Sequence, residues 1–533
     1  MEVCIIGWDG ADWRILRPMM DAGVLPNLSA FLWRARHGAL RSTLPPVTAP
    51  AWSTFLTGVN PGKHGLFNWQ GPMNERLERP FLNASHVRSP RLWDWLSRAG
   101  KRSLFLNVPL TYPPPTFKGV LVGGMLTPGT HVNFTHPSEV KARLLAEIPD
   151  YQVDVEMQFT ERDRTSPAGM RAHLAEVRKT TRQRVQAWHL LWREYGPFDL
   201  AMIVFEGTDR VQHPLYGYAA DERPSDADPG WEERREWVWE YYRFLDEQLA
   251  AVLADCGKDT TVFFLSDHGF GPLYWEFCAN EWLIERGWLH FKESAGRLYR
   301  PLRPFAQKLK RLLPRSWVRR GQAAITGLKA VDWSRTLAYS GGPMEDGIWI
   351  NLKGREPLGV VMPEQYESVR DMLIAALREI TLPDGRPLCR GVYRREEVYD
   401  GPFVAQAADI ILDLNEGVRF TSLRNPWRGM FRPVKPSGQG THRRWGVLAV
   451  AGPHIPPGEW TSPPSMEDLA PTILASMNIP LPEGRFDGKV LPDVITSYRF
   501  GREEQADLSS TVAYSEEESR LIEEHLRSLG YIE

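Results

Sequence analysis

Val3-Cys4-Ile5-Ile6-Gly7-Trp8-Asp9-Gly10 is a short apolar run that ends on a carboxylate. A run with no polar alternation suits a strand covered on both faces, as in parallel sheets sandwiched by helices. The pattern recurs at Ser103–Val108, Val120–Val122, Leu200–Phe205, Thr260–Leu265 and Val447–Ala451, with helix-like stretches between. That alternation predicts an α/β fold built on a mostly parallel central sheet with helices on both faces. One helix is expected from the Asp9-Gly10 turn to about Ala22. A long amphipathic one is expected over Trp231–Ala254, its Trp and Tyr stripe serving core packing.

The chain has 533 residues, 42% hydrophobic and 24% charged. This is the composition of a soluble globular protein, and it excludes a disordered chain, a collagen-like repeat or a disulfide scaffold. The net charge of −2 argues against a globally polybasic nucleic-acid binder. Cys4, Cys256, Cys278 and Cys389 are widely spaced and form no CxxC pair. Met1-Glu2 leads straight into the first run, without the basic and apolar regions of a secretory signal. No uninterrupted apolar run is long enough to span a bilayer. A reducing, cytoplasmic location is the expectation.

One segment breaks the charge balance. Lys292–Arg320 carries ten basic residues and one acid, Glu293, for a local charge of +9. Removing that from the chain's −2 leaves −11 for the rest. Leucines spaced for a helix and interrupted by Pro301, Pro304 and Pro314 suggest an inserted cap with a surface for an anionic partner. The expected organisation is a discontinuous catalytic core, 1–272 and 333–495, a basic, partly helical cap insertion, 273–332, and a helical tail, 496–533. In the tail, Ser515 precedes three glutamates that favour a helix start, and Leu521, Ile522, Leu526 and Leu529 would face the core.

Metal-type ligands stand beside apolar runs in four places: Asp9; Asp209 with His213; Asp267 with His268; and His442. In open α/β sheets, ligands bind at the carboxyl ends of strands. Carboxylates converging there without a cation would repel one another and take up protons. Divalent ions resolve the conflict, and mixed Asp/His ligation suits zinc or manganese. A fifth place offers a nucleophile: Thr48, Ser53, Thr54 and Thr57 lie in Leu44-Pro-Pro-Val-Thr-Ala-Pro-Ala-Trp-Ser-Thr-Phe-Leu-Thr57, just before or within a helix-like stretch. Composition leaves the choice among these hydroxyls open.

The ordered set Asp9, Thr48, Asp209-x3-His213, Asp267-His268-Gly269 and Gly440-Thr441-His442 resembles the alkaline phosphatase superfamily. It is most similar to the type I phosphodiesterase/nucleotide pyrophosphatase branch and the phosphohydrolase and phosphomutase proteins beside it. Leu25-Pro-Asn-Leu28, Thr57–Gly65, Leu469–Leu474 and Gly484–Lys489 add to the likeness. The resemblance implies an alkaline-phosphatase-like fold and two divalent metals. Asp9, Asp267 and His268 would hold one, reached by Thr48 Oγ; Asp209, His213 and His442 would hold the other. Thr48 is the implied nucleophile because it lies nine residues before the Thr57-Gly58 pair. The implied reaction is cleavage of a phosphodiester or pyrophosphate bond in a small phosphorylated substrate, through a threonyl-phosphate intermediate.

The branch often places Asn three residues after the nucleophile, where this chain has Ala51. Lys63, Asn68, Asn107 or a basic residue of the insertion are the candidates to contact the phosphoryl oxygens instead. His64 reads as structural, and Glu206 as either a helix-start acid or a support for the site. A phosphomonoesterase or phosphomutase fits the same ligand set. A metal-stabilised binding scaffold would fit a chain that had lost a ligand. The sulfatase C/S-x-P-x-R run is absent, and Gly62-Lys63-His64 does not complete a P-loop.

Overall fold

The opening run forms strand β1, Val3–Trp8, buried along its whole length. In the computed structural model, which describes residues 1–155, 166–220, 229–292, 328–342, 344–422, 429–434, 438–501 and 511–529, it lies near the middle of a nine-stranded sheet. The other strands before residue 268 are β2 (Arg36–Arg41), β3 (Ser103–Val108), β4 (Gly119–Gly123), β5 (Thr135–His136), β6 (Leu200–Phe205) and β7 (Thr261–Leu265). The order is Gly458–Glu459, β2, Trp445–Ala451, β7, β1, β6, β3, β4, β5. From β7 to β4 the strands are parallel. Trp445–Ala451 runs antiparallel between β2 and β7.

Successive side chains of a strand point to opposite faces, and β1 shows what that does here. Cys4, Ile6 and Trp8 enter one apolar core, shared with the helices Pro167–Tyr195, Gly207–Ala219 and Trp231–Leu253. Val3 and Ile5 enter another, beneath Thr48–Thr57, Leu92–Arg98 and Leu469–Ser476. This is the two-faced α/β architecture expected from the sequence. The tail helix, Glu516–Leu529, starts on a reciprocal cap between Ser515 and Glu518. It buries Ile522, Leu526 and Leu529 in the first core.

After β7 the chain leaves this sheet. Ala338–Tyr339, Gly347–Ile350, Ile410–Leu414 and Cys389–Arg394 make a four-stranded antiparallel sheet covered by the helix Tyr366–Arg378. Its own apolar core gathers Trp282, Trp333, Tyr339, Trp349, Leu373 and Leu377. The stretch from 333 onward, drawn above as part of the catalytic core, therefore contains this second layered unit. The chain rejoins the central sheet at Trp445. These strands are short, and Cys389–Arg394 and Ile410–Leu414 mix charged with apolar residues, so no long hydrophobic run announces them. Beyond Lys292, the basic segment expected as a cap lies outside the described residues.

Candidate active site

Strand register places the carboxyl ends of three neighbouring strands side by side. Trp8 pairs with Phe205, and Gly7 with Leu265. The residues that follow, Asp9, Glu206 to Asp209, and Asp267, therefore emerge at one edge. Cross-links hold them there. The Gly10 amide donates to Asp267 Oδ1 at 3.1 Å, and the Thr208 hydroxyl donates to the Asp9 carbonyl. Gly10 has φ +68, and a Cβ there would sit 3.0 Å from the Phe270 ring, so both backbone and space demand glycine. His442 arrives on Gly440–Arg443, which pairs antiparallel with Gly269–Pro272.

Thr48 is the first residue of the helix Thr48–Thr57, and its Oγ1 lies 3.2 Å from His268 Nε2. The other three hydroxyls are engaged elsewhere. Ser53 donates to Ala49 O and Thr57 to Ser53 O, both at 2.7 Å, while Thr54 pairs with His64 Nε2 at 3.0 Å. Of these four hydroxyls, Thr48 is the one placed among the clustered ligand-type side chains.

The donor atoms of Asp209, His213 and His442 have the spacing of a coordination shell, and the second close group joins Asp9 and His268 to Asp209 rather than to Asp267. Ligands about 2.0–2.1 Å from a tetrahedral zinc are about 3.3 Å apart. Asp209 Oδ1 lies 3.4 Å from His213 Nε2 and 3.2 Å from His442 Nε2, and the two imidazole nitrogens are 3.0 Å apart. Around His268 Nε2 stand Thr48 Oγ1 at 3.2 Å, Asp267 Oδ2 at 3.3 Å and Asp9 Oδ1 at 3.8 Å. A carbonyl can only accept. The contacts of His442 Nδ1 with Pro46 O, 2.9 Å, and of His268 Nδ1 with Gly269 O, 3.2 Å, therefore place the ring proton on Nδ1. Both Nε2 lone pairs are left facing the cluster, the orientation a metal-ligating histidine needs.

Electrostatics point the same way. Asp9 Oδ1 and Asp267 Oδ2 are buried with no hydrogen-bond partner among the described residues. Burial, and then the neighbouring carboxylates, raises Asp9 well above the usual range; burial and Asp209 push Asp267 up to about 8. Asp209 also feels burial, but His213, His442 and Arg210 together hold it well below its usual value. Burial lowers His213 to about 4, and Asp209 offsets part of that. Burial, reinforced by His442, keeps His268 neutral. Neutral imidazoles facing crowded, unpaired carboxylate oxygens are a donor set that fits divalent cations.

Of the three expected phosphoryl contacts, Lys63 and Asn107 have side-chain nitrogens engaged elsewhere. Lys63 pairs with Asp487, and its Nζ lies 4.0 Å from Asp400. Asn68 Oδ1 accepts from the Trp69 amide. Asn107 Nδ2 donates to Glu206 Oε2 at 2.5 Å and Val204 O at 3.1 Å. Glu206 is also bound by the buried Arg184 at 2.6 Å, so it anchors the start of the helix that carries Asp209. His64 is fully buried against Thr54.

Residues not singled out from sequence support the cluster. Trp52 Nε1 donates to Asp9 Oδ2 at 3.1 Å. Arg210 bridges Asp209 Oδ2, 2.6 Å, and Asp154 Oδ2, 2.8 Å, and His525 of the tail helix reaches Asp154 at 3.0 Å. Arg210 could have been suspected from its place directly after Asp209. Trp52 and Asp154 have no local pattern to betray them.

The type I phosphodiesterase/nucleotide pyrophosphatase family model matches residues 3–442, a span that takes in every one of these donors. The chain belongs to this family. It is accordingly a phosphoric ester hydrolase. No curated protein matches its sequence. Solved structures share its fold at low identity. Phosphonoacetate hydrolase from Sinorhizobium meliloti 1021, in complex with phosphonoformate, is 14% identical, with 88% of this chain and 94% of that one covered and a TM-score of 0.51. Human ectonucleotide pyrophosphatase/phosphodiesterase 5 is also 14% identical, with 93% and 100% covered and a TM-score of 0.50. Wild-type alkaline phosphatase PafA gives 14%, 92%, 98% and 0.50 for the same measures. No described helix is long and apolar enough to cross a membrane.

Proposed function

We propose that this family member is a two-metal phosphohydrolase that cleaves a phosphodiester or pyrophosphate bond through a covalent intermediate on Thr48. The observation that carries this is the Thr48 hydroxyl, held 3.2 Å from His268 Nε2 inside a cluster of carboxylate and imidazole donors. Asp9, Asp267 and His268, with Thr48 Oγ1, would hold one cation, and Asp209, His213 and His442 the other. Zinc suits this donor set, with manganese the alternative. When bound, the cations supply positive charge that lowers the hydroxyl pKa and offsets that of the phosphoryl oxygens.

Thr48 then attacks phosphorus in line. The bond to the leaving oxygen breaks, and the phosphoryl group resides on Oγ1. Water hydrolyses that ester from the vacated side and restores the hydroxyl. The helix start contributes directly. Its first amides have no partner within the helix, and Pro50 removes one of them. Those of Thr48 and Ala49 remain to donate to a phosphoryl oxygen, which supplies a contact where Ala51 offers none. Trp52 fixes the Asp9 carboxylate through its indole N–H.

The test is turnover of bis(4-nitrophenyl) phosphate and 4-nitrophenyl phosphate with zinc, manganese and magnesium. The diester is expected to be the better substrate, and Thr48→Ala is expected to lower kcat by about 10³-fold or more. Metal-independent turnover, or an undiminished rate in the variant, would overturn the mechanism. Faster turnover of the monoester would reassign the enzyme as a phosphomonoesterase.

A further inference from the structure

A cleft begins at His442, Pro46 and Val47, one residue short of Thr48, and extends toward the strands Ile410–Leu414 and Val418–Thr421 of the second unit. Four arginines line it. Arg419 is neutralised by Glu276, and Arg390 lies 3.2 Å from Asp413. The other two, Arg443 and Arg444, directly follow His442. One arm of Arg443 meets Glu416, and Arg444 Nη1 is 3.9 Å from Asp413. Arg443 Nη1 and Arg444 Nε are buried, and neither has a hydrogen-bond partner among the described residues.

A guanidinium carries five N–H donors and no acceptor, so only a group rich in lone pairs can satisfy these two. Leaving such donors buried and unmet is costly, and a charged acceptor recovers the most. Arg443 lies over Gly271, where a Cβ would come within 2.4 Å of its Cδ, and the Arg444 carbonyl accepts from the Ser42 amide at 2.8 Å.

We propose that this cleft is a subsite for a second anionic group of the substrate, a carboxylate or a phosphate, bound by Arg443 and Arg444 while the reacting phosphoryl group sits at Thr48. The preferred substrate is then a phosphorylated compound with a further negative charge a few bonds away, not an ester with a neutral tail. This rests on the placement of the phosphoryl group proposed above, and the experiment separates the two.

Calorimetric titration of the zinc-loaded protein would compare three non-hydrolysable probes: propylphosphonate, 3-phosphonopropionate and propane-1,3-diphosphonate. At least one doubly anionic probe is expected to bind about tenfold or more tightly than propylphosphonate. Which one gains more distinguishes a carboxylate from a phosphate. That gain should fall to about threefold or less in Arg443→Gln and in Arg444→Gln, and return in part in Arg444→Lys, which keeps the charge. Thermal melts confirm that each variant is folded. Equal binding of all three probes by the wild type, or a gain that survives both Gln substitutions, overturns the subsite alone. Propylphosphonate that fails to bind at all overturns the phosphoryl site and the subsite together.

Discussion

Gly7 is two residues before Asp9, and a methyl group there should disturb the proposed metal centre without touching it. The ideal Cβ would lie 2.7 Å from Trp52 Cη2 and 3.2 Å from Val204 Cγ2, against 3.4–4 Å for ordinary contact. Trp52 is fully buried, so its ring has little room to yield about 0.7 Å. Overpacking of this kind costs about 1–3 kcal/mol. Any tilt of the indole also pulls Nε1 from Asp9 Oδ2, now 3.1 Å away. Trp52→Phe removes that donor and the colliding ring atom together. In the double variant the new methyl meets no Cη2, so the two costs should not add. The expected coupling is about 1–2 kcal/mol in favour of the double variant. Zinc affinity should behave differently, falling about 10–100-fold in Trp52→Phe and in the double variant alike, because neither keeps the hydrogen bond. Urea denaturation in the presence of a chelator gives the stabilities, and competition with a chromogenic chelator gives the affinities. Additive stabilities within about 0.5 kcal/mol, or a double variant that recovers wild-type zinc affinity, would refute the reasoning.

Arg210→Met leaves Asp209 and Asp154 without the buried cation between them, and should cost about 3–5 kcal/mol in urea denaturation of the metal-free protein. His64 gives the fold a pH dependence: burial lowers it to about 3, so on acidification the unfolded chain takes up its proton first. The stability it contributes is intact above about pH 6.5 and is lost as the pH falls toward 3, at up to about 1.4 kcal/mol per unit. His64→Gln should flatten that part of the profile. Zinc at a hundred times its Kd should stabilise the fold by about 2.7 kcal/mol, and a chelator should remove that increment in a thermal melt.

The central sheet was legible because strands buried on both faces must be written as apolar runs, and Val3–Trp8, Leu200–Phe205 and Thr261–Leu265 leave little else to read. The donor positions were legible for a related reason: a carboxylate abutting such a run has nowhere to go but the sheet edge. What sequence could not supply was partnership across long separations. Asp154, Arg210 and His525 meet through packing of three distant segments, and no local spacing encodes that. Lys63 shows the converse. It was a candidate to contact the phosphoryl oxygens, and its ammonium pairs with Asp487. The second sheet was missed because its strands are short and carry residues such as Asp413, Arg390 and Arg394 among the apolar ones.

The late arrival of Trp445–Ala451 between β2 and β7 sets a timetable for the nascent chain. Until that strand leaves the ribosome, β2 has no neighbour through which to join β7, although it was made some four hundred residues earlier. The same stretch of synthesis delivers His442, the last donor, after Asp9, Asp209, His213, Asp267 and His268 are already out. A growing chain can therefore offer an ion only a partial set of ligands, and closing the sheet and completing the centre become one event. Translation stopped before residue 440 would leave a product lacking both the seam of its sheet and one donor of the proposed centre. Loading of the proposed centre is thereby tied to completion of this part of the chain.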